Sequence, residues 1–287
     1  MKDYILLLIF LAIFLIIYIY LDYDKFEAFT TNGQKIGIVS MMKNPKNIET
    51  WLERHRNIGI DRFYIRLEDT PDLVKYLESQ PDVVLDISKS NGLNEYTEKQ
   101  NRQGVMVDKA LAKARDDGID WLIHIDADEI VNGDLSELSK LPETTRTFWM
   151  QNIEALYSHV PTKDDNCFIA KKFQNCANES CAAYANGKSG GRTASDVSSF
   201  GCHRMRSSLK DDDAPKVNLL VEHYESCDFE QYKEKYIGLS KEDTDNNIPF
   251  PYYNESISAA KKDDDQALVD VYKKYRVTLE QFGIRMK

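Results

Sequence analysis

The 287-residue chain carries 47 acidic residues against 37 lysines and arginines, a net charge of −10 at neutral pH. That balance excludes nucleic acid and anionic membrane surfaces as primary partners, because both are bound through basic footprints. The length admits a sizeable buried core, and the acidic runs Asp211–Asp213 and Asp263–Asp265 read as solvated loops or helix starts.

From Tyr4 to Leu21 the stretch YILLLIFLAIFLIIYIYL has no charge and no helix breaker. As a helix it reaches about 27 Å, near the thickness of a bilayer's hydrocarbon core. It ends in YIYLDYD rather than in the small residues of a cleavage site, so it reads as a signal-anchor helix. Lys2 and the terminal amine precede it, and Asp22 and Asp24 follow. The charge bias leaves residues 1–3 as a cytoplasmic tail and the rest lumenal or extracytoplasmic, a single-pass type II arrangement. Residues 22–34 form a short stem, and 35–287 the main folded domain.

KIGIVSMM (35–42) reads as a buried strand of parallel-sheet type. Asn44-Pro45 then opens a helix with Asn as cap, its apolar face made of Ile48, Trp51, Leu52 and Ile58 and its stop at Gly59. DRFYIRL (61–67) is a second strand, Thr70-Pro71 opens a second helix, and DVVLDIS (82–88) is a third strand. A long helix is predicted from about Glu95 to Asp117, with Gly118 ending it, and WLIHID (121–126) is the fourth strand. RTFWMQNI (146–153) and VNLLVEHY (217–224) are further strands, with helices expected around Phe229–Ile237 and Asp264–Phe282. Residues 161–201, rich in Lys, Asn, Ser, Gly and Cys, read as long loops. Alternating strands and helices with short connections predict an α/β, Rossmann-like, mostly parallel sheet flanked by helices. Ligands bind beyond the carboxyl ends of such strands, where Asp126 and Asp128 fall.

Carboxylates at the end of an apolar strand call for a cation. Two hard oxygen donors there suit a divalent ion that keeps positions open for phosphate oxygens. Cys167, Cys176, Cys181, Cys202 and Cys227 contain no CxxC pair and are not a zinc pattern. In an oxidising compartment they predict one or two disulfides and a leftover thiol. Asn178-Glu-Ser and Asn254-Glu-Ser are glycosylation acceptor triplets.

The segment GIVSMMKNPKNIETWLERHRNIGIDRFYIRLED resembles the opening of glycosyltransferases of the family 2-like and family 92-like groups, with Lys43-Asn44 at a strand end and Trp51-x-x-x-His55 on a helix. WLIHIDADEI is similar to their acidic strand-end element, and VEHYESCDFEQYKEK to their His-Tyr strand end followed by a lysine-bearing helix. The resemblance spans residues 36 to about 236. It implies a GT-A fold, a nucleotide-sugar donor, a glycan or glycoprotein acceptor and a divalent metal. By it Asp128 is a direct metal ligand, Asp126 touches the metal or the donor ribose, and His223 is a third ligand. Imidazole beside carboxylates favours manganese over magnesium. Asn44 and Asp69 then lie near base and ribose, although the acidic-Asn pair usual before Asp69 reads Leu67-Glu68 here, which leaves the base open. Gln103 matches a positioning glutamine, and His203 falls where the family shows Gly-x-His, on the acceptor side.

Within GKSGGRTASD, Lys188 and Arg192 are candidates for a cation at the phosphates, and Gly190-Gly191 for a flexible loop closing over the donor. An inverting transfer needs a carboxylate base, for which Asp196 is the nominee and Glu154 the reserve. His55, Trp51 and Trp121 read as packing residues, and Glu129 as a backbone partner. Two other functions are weighed. One is a phosphatase of the haloacid-dehalogenase type, which shares an Asp-x-Asp after a strand; the other is an inactive, membrane-tethered binding protein.

Overall fold

The computed structural model describes residues 33–90, 96–176, 185–209, 214–241, 250–262 and 264–278. The expected tail, the apolar span and most of the stem lie outside these residues, as do Asn178, Cys181, Asp211–Asp213 and Asp263. Among the described residues no helix is long and apolar enough to cross a membrane.

The predicted alternation is present. Strand β1 (Ile36–Met42) leads through helix α1 (Ile48–Asn57) to β2 (Arg62–Glu68), and a 3₁₀ turn and α2 (Val74–Glu78) lead on to β3 (Val83–Ser88). Helix α3 (Tyr96–Asp116) returns the chain to β4 (Trp121–His124). There follow β5 (Glu129–Asn132), β6 (Thr147–Leu156), β7 (Lys172–Asn175), β8 (Lys188–Arg192), the hairpin β9 (Val197–Phe200) and β10 (Arg204–Ser207), and β11 (Lys216–His223). Helices α4 (Phe229–Lys241), α5 (Pro251–Lys261) and α6 (Asp265–Arg276) close the described chain.

Nine strands form one sheet in the order β3-β2-β1-β4-β8-β6-β11-β5, with β7 against β6. Pairings β1–β2, β2–β3, β1–β4 and β6–β11 are parallel, and β8 runs against both β4 and β6. Six strands therefore share one direction and β5, β7 and β8 oppose it. The sheet is mostly parallel and carries helices on both faces.

All seven residues of β1 are buried, and its side chains alternate between two cores. Ile36, Ile38 and Met42 pack with Trp51 and Leu52 of α1 and with the aromatic residues of α4–α6. Val39 and Met41 pack with Val107, Ala110, Leu111 and Ala114 of α3 and with Val197 and Met205 of the hairpin. Helices α1 and α2 thus cover one face and α3 the other. The crossover changes face between β1 and β4, and an open α/β sheet offers a crevice at such a point.

The structure corrects the sequence in three places. Helix α1 starts at Ile48, later than the expected Asn44 cap, because Asn44 and Asn47 both adopt left-handed backbone (φ 47° and 48°). Tertiary bonds hold that loop: Thr70 Oγ1 accepts from the Asn44 N–H at 2.8 Å, and Asn47 Oδ1 from the Cys167 N–H at 2.7 Å. Residues 161–201 are not all loop, since β7, β8 and β9 lie within them. Most consequentially, Lys188–Arg192 is an interior strand between β4 and β6 rather than a loop that closes over a ligand. Its glycines are there for space. A Cβ on Gly190 would meet Phe148 Cζ at 2.5 Å, and one on Gly191 would meet Val197 Cγ1 at 2.8 Å.

Cys167 and Cys227 form a disulfide that joins the loop before β7 to the turn after β11. Cys176 is disulfide-bonded as well, and Cys202 is a buried free thiol. Asn254 sits exposed on α5.

Gly190→Ala is expected to destabilise the fold by about 1–3 kcal/mol through overpacking against Phe148. Gly238→Ala, in the open interior of α4 where an added Cβ meets nothing within 4 Å, is expected to be neutral or to stabilise by about 0.5–1 kcal/mol. Urea denaturation of the two variants checks the contrast.

Candidate functional site

The acidic stretch is a turn, not one straight strand. β4 stops at His124 and the chain reverses through Asp126–Asp128 into β5. The turn closes twice: the Glu129 N–H donates to the Asp126 carbonyl at 3.2 Å, and the Asp126 N–H donates to Glu129 Oε2 at 2.8 Å. Asp126 and Asp128 consequently meet different surroundings. Lys188, with no exposed surface, donates its ammonium to Asp126 Oδ2 at 2.5 Å and to the Cys202 carbonyl at 3.3 Å, and stands 3.5 Å from Glu129 Oε2. Buried Gln103 donates to Asp126 Oδ1 at 2.9 Å. Burial alone would raise the Asp126 pKa and lower that of Lys188; their mutual attraction outweighs it, so the carboxyl sits well below its ordinary value and the ammonium above.

Asp128 faces the cleft with its side chain 40% exposed, and its carboxylate lies 3.7 Å from His223 Nε2. His223 ends β11, in register with Glu154 on β6 and Glu129 on β5. The shared register places Glu154, His223 and Glu129 in a row on one face of the sheet. His223 Nδ1 donates to the Glu154 carboxylate at 2.9 Å. Arg276, at the end of α6, reaches back to bond Glu154 Oε2 at 2.6 Å and Glu225 Oε2 at 2.7 Å. Lys235 of α4 adds a contact to Glu225 Oε1 at 2.5 Å. Burial would lower the His223 pKa, but Glu154 outweighs it and lifts the ring to about 9.

These groups edge a cleft of about 670 Å³. Its wall at the ends of β1 and β2 includes Lys43, Asn44, Lys46 and Glu68, with Lys99 and Arg102 added from α3. The opposite wall comes from α4 and α5, through Gln231, Glu234, Lys235 and Tyr253. Asn44 is therefore at the cleft. Asp69 stands just behind, its carboxylate bound by Ser90 and paired with Lys43 at 3.0 Å, contacts that hold its pKa down at about 2. Glu68, rather than Asp69, lines the space and grips the Arg102 guanidinium at 3.0 and 3.1 Å. His203 lines it too, with Nδ1 3.2 Å from the Gly187 carbonyl.

Four nominated residues stand elsewhere. Arg192 lays its guanidinium over the Trp121 ring at 4.2 Å and donates to the Thr145 carbonyl, away from the cleft. Asp196 belongs to the hairpin, held by Ser207 Oγ at 2.7 Å and facing Arg146 at 3.4 Å. Glu154 is 1% exposed behind His223, so it cannot meet an acceptor hydroxyl. Lys188 lies behind Asp126 and cannot touch a phosphate in the cleft.

Glu154, His223 and Glu225 bring potential ligand atoms within 4.8 Å of one another. Arg276 already bridges the two carboxylates, so that buried trio is cation-filled by the protein itself. The pair that opens to the cleft is Asp128 with His223 Nε2.

The Trp51–His55 spacing places both rings on one face of α1, where they anchor β5. Trp51 Nε1 donates to the Glu129 carbonyl at 2.8 Å, and the Val131 N–H donates to His55 Nε2 at 3.0 Å. The two rings therefore fix the strand that carries Glu129. No sequence motif surrounds Arg276, so nothing in the sequence marks it. The glycine-rich surroundings of Lys188 suggest a loop cation, and only the sheet order shows that it points inward.

No family model matches the chain. It is similar to a protein of Arabidopsis thaliana named glycosyltransferase-like, at 27% identity over 127 residues, which covers 36% of this chain and 26% of that protein. The chain thus spans about a quarter of the length of that relative.

Burial pushes His55 and His124 down to about 3, so both rings are neutral in the folded state. In the unfolded chain they take up protons near their ordinary 6.5. The unfolded state then binds more protons as pH falls from about 6.5 toward 3, and stability is expected to drop across that window. The urea midpoint should fall between pH 7.5 and 5, and His124→Leu should remove part of the slope. A midpoint independent of pH over that range would contradict the assignment.

Proposed function

We propose that this chain is a glycosyltransferase of GT-A type that moves a sugar from a nucleotide-sugar donor, with a divalent cation, manganese by preference, held between Asp128 and His223. The similarity to a glycosyltransferase-like protein supports the general activity. One observation carries the finer reading: the paired Asp128 carboxylate and His223 Nε2 open onto a cleft at the point where the parallel sheet changes face.

Charge balance supports a divalent ion. The connected cluster holds five carboxylates, Asp126, Asp128, Glu129, Glu154 and Glu225, against three permanent cations, Lys188, Lys235 and Arg276. With His223 protonated, as a ring lifted to about 9 is at neutral pH, one negative charge stays uncompensated; a divalent ion that displaced the Nε2 proton would face two, the charge it brings. The Glu154 contact at Nδ1 fixes the tautomer that leaves Nε2 as a ligand, as carboxylate–histidine pairs do in metal sites. A carboxylate oxygen with an imidazole nitrogen suits manganese better than magnesium.

When bound, the ion would neutralise charge that builds on a departing diphosphate. The remaining work belongs to the chain. Lys99 on the β1–β2 side of the cleft is the cation best placed for a nucleotide's phosphates, since Lys43, Lys46 and Arg102 are paired with Asp69, Asp228 and Glu68. Asn44, at the end of β1, sits where a base or ribose would lie. Glu234 lines the opposite wall, exposed, and its side chain makes no hydrogen bond or ion pair among the described residues. It takes over from Asp196 and Glu154 as the carboxylate that accepts the acceptor hydroxyl's proton in an inverting transfer.

The span Tyr4–Leu21 is read as a type II anchor that places this site in a lumenal or extracytoplasmic space, where glycans or glycoproteins are the acceptors. The Cys167–Cys227 disulfide accords with such an oxidising compartment.

Asp128→Ala is expected to abolish transfer while the protein stays folded, and EDTA to stop turnover that manganese restores. Chelator-resistant turnover, or an active and folded Asp128→Ala protein, would refute the cation site. Glu234→Gln is expected to lower kcat by about 100-fold or more with KM for the donor little changed. An unaltered kcat would remove Glu234 from the chemistry.

A further inference from the structure

We propose that Lys188 is a resident counter-ion that withdraws Asp126 from the metal's ligand set, so that the protein offers the ion only Asp128 and His223. The inference rests on the cation site described above. Both Asp126 oxygens already have protein donors: Lys188 Nζ on Oδ2 at 2.5 Å and Gln103 Nε2 on Oδ1 at 2.9 Å. The ammonium is sealed from solvent, and its other contacts, the Cys202 carbonyl and Glu129, hold it in place. A divalent ion on Asp126 Oδ2 would stand within about 5 Å of that ammonium, with little water between to screen their repulsion.

Asp126 and Asp128 expose similar fractions of their side chains, 33% and 40%, but their partners differ. Among the described residues no lysine or arginine lies within ion-pair distance of Asp128, and its neighbour is an imidazole nitrogen able to share a metal. Two adjacent acids that look equivalent in the sequence therefore have opposite roles. Asp126 is a positioning residue: its main-chain N–H is held by Glu129 and its carboxylate anchors Lys188, which together fix the turn that presents Asp128. The β8 strand, through Lys188, sets how many protein ligands the ion receives. Two ligands leave most of the coordination sphere for water and donor oxygens, so the ion binds weakly alone and tightly with a diphosphate.

The test is Mn²⁺ binding to the full chain, read by the loss of the free-ion electron paramagnetic resonance signal, with circular dichroism to confirm folding. Asp126→Asn keeps the main-chain bond to Glu129 and an amide oxygen for Lys188, so the turn holds and Mn²⁺ affinity is expected to stay within about threefold of wild type, whereas Asp128→Ala lowers it by about tenfold or more. Lys188→Met is expected to raise Mn²⁺ affinity by about tenfold, because Asp126 becomes a ligand, and Lys188→Met/Asp126→Asn to cancel that gain. If Lys188→Met does not fold without metal, refolding by Mn²⁺, absent in the double variant, reports the same gain. An Asp126→Asn loss equal to that of Asp128→Ala overturns this inference alone. Wild-type protein that binds no Mn²⁺ overturns the cation site and this inference together.

Discussion

An ammonium with no exposed surface, set between two carboxylates and a carbonyl, is the interaction on which the site depends. Removing such a charge from water is costly, and the cost is offset only when its partners are close and complete. Lys188 has them in Asp126, Glu129 and the Cys202 carbonyl. The arrangement ties β8, the turn after β4 and the start of β5 into one unit. It also explains why a strand as polar as Lys-Ser-Gly-Gly-Arg runs through the middle of a sheet: its lysine is buried as half of an ion pair, and its glycines yield their space to Phe148 and Val197.

A second chain of charges mirrors the first across β11. Arg276 binds Glu154 and Glu225, Glu154 orients His223, and Lys235 completes Glu225. The two networks meet where His223 stands in register with Glu129, beside Asp128 at the cleft. Every other acid in the cluster has a protein cation within reach. The open position is therefore defined by what surrounds it: Asp128 is the acid of the cluster whose described partner is an imidazole rather than a lysine or arginine.

Much of the first half was legible because physical pattern and structure coincide there. The continuous apolar run of β1, the Gly118 stop of α3 and the short connections led to a parallel sheet with acids at a strand end. The rest was hidden for identifiable reasons. β8 contains no apolar residue, so periodicity points to a loop there, with Lys188 as a cation for phosphates and Gly190-Gly191 as a loop that closes over a donor. Asp196 carried the right functional group, but its hairpin pairs it with Ser207 and Arg146. Glu154 was selected for the right neighbourhood and the wrong task, since depth in a sheet cannot be read from a single carboxylate. Trp51 and His55 were rightly read as packing residues, although their bonds to the β5 backbone emerge only from the fold.

The last described helix ends in a side chain that reaches the interior of the cleft's floor. Arg276 braces the Glu154 carboxylate that orients an imidazole more than fifty positions earlier, so α6 takes part in shaping the cleft. Proteolytic clipping there, or a fusion that strains α6, would reach His223 as directly as a change in the cleft itself. A form of this chain shortened before Arg276 would thus keep its sheet and yet lose the orientation of that ring.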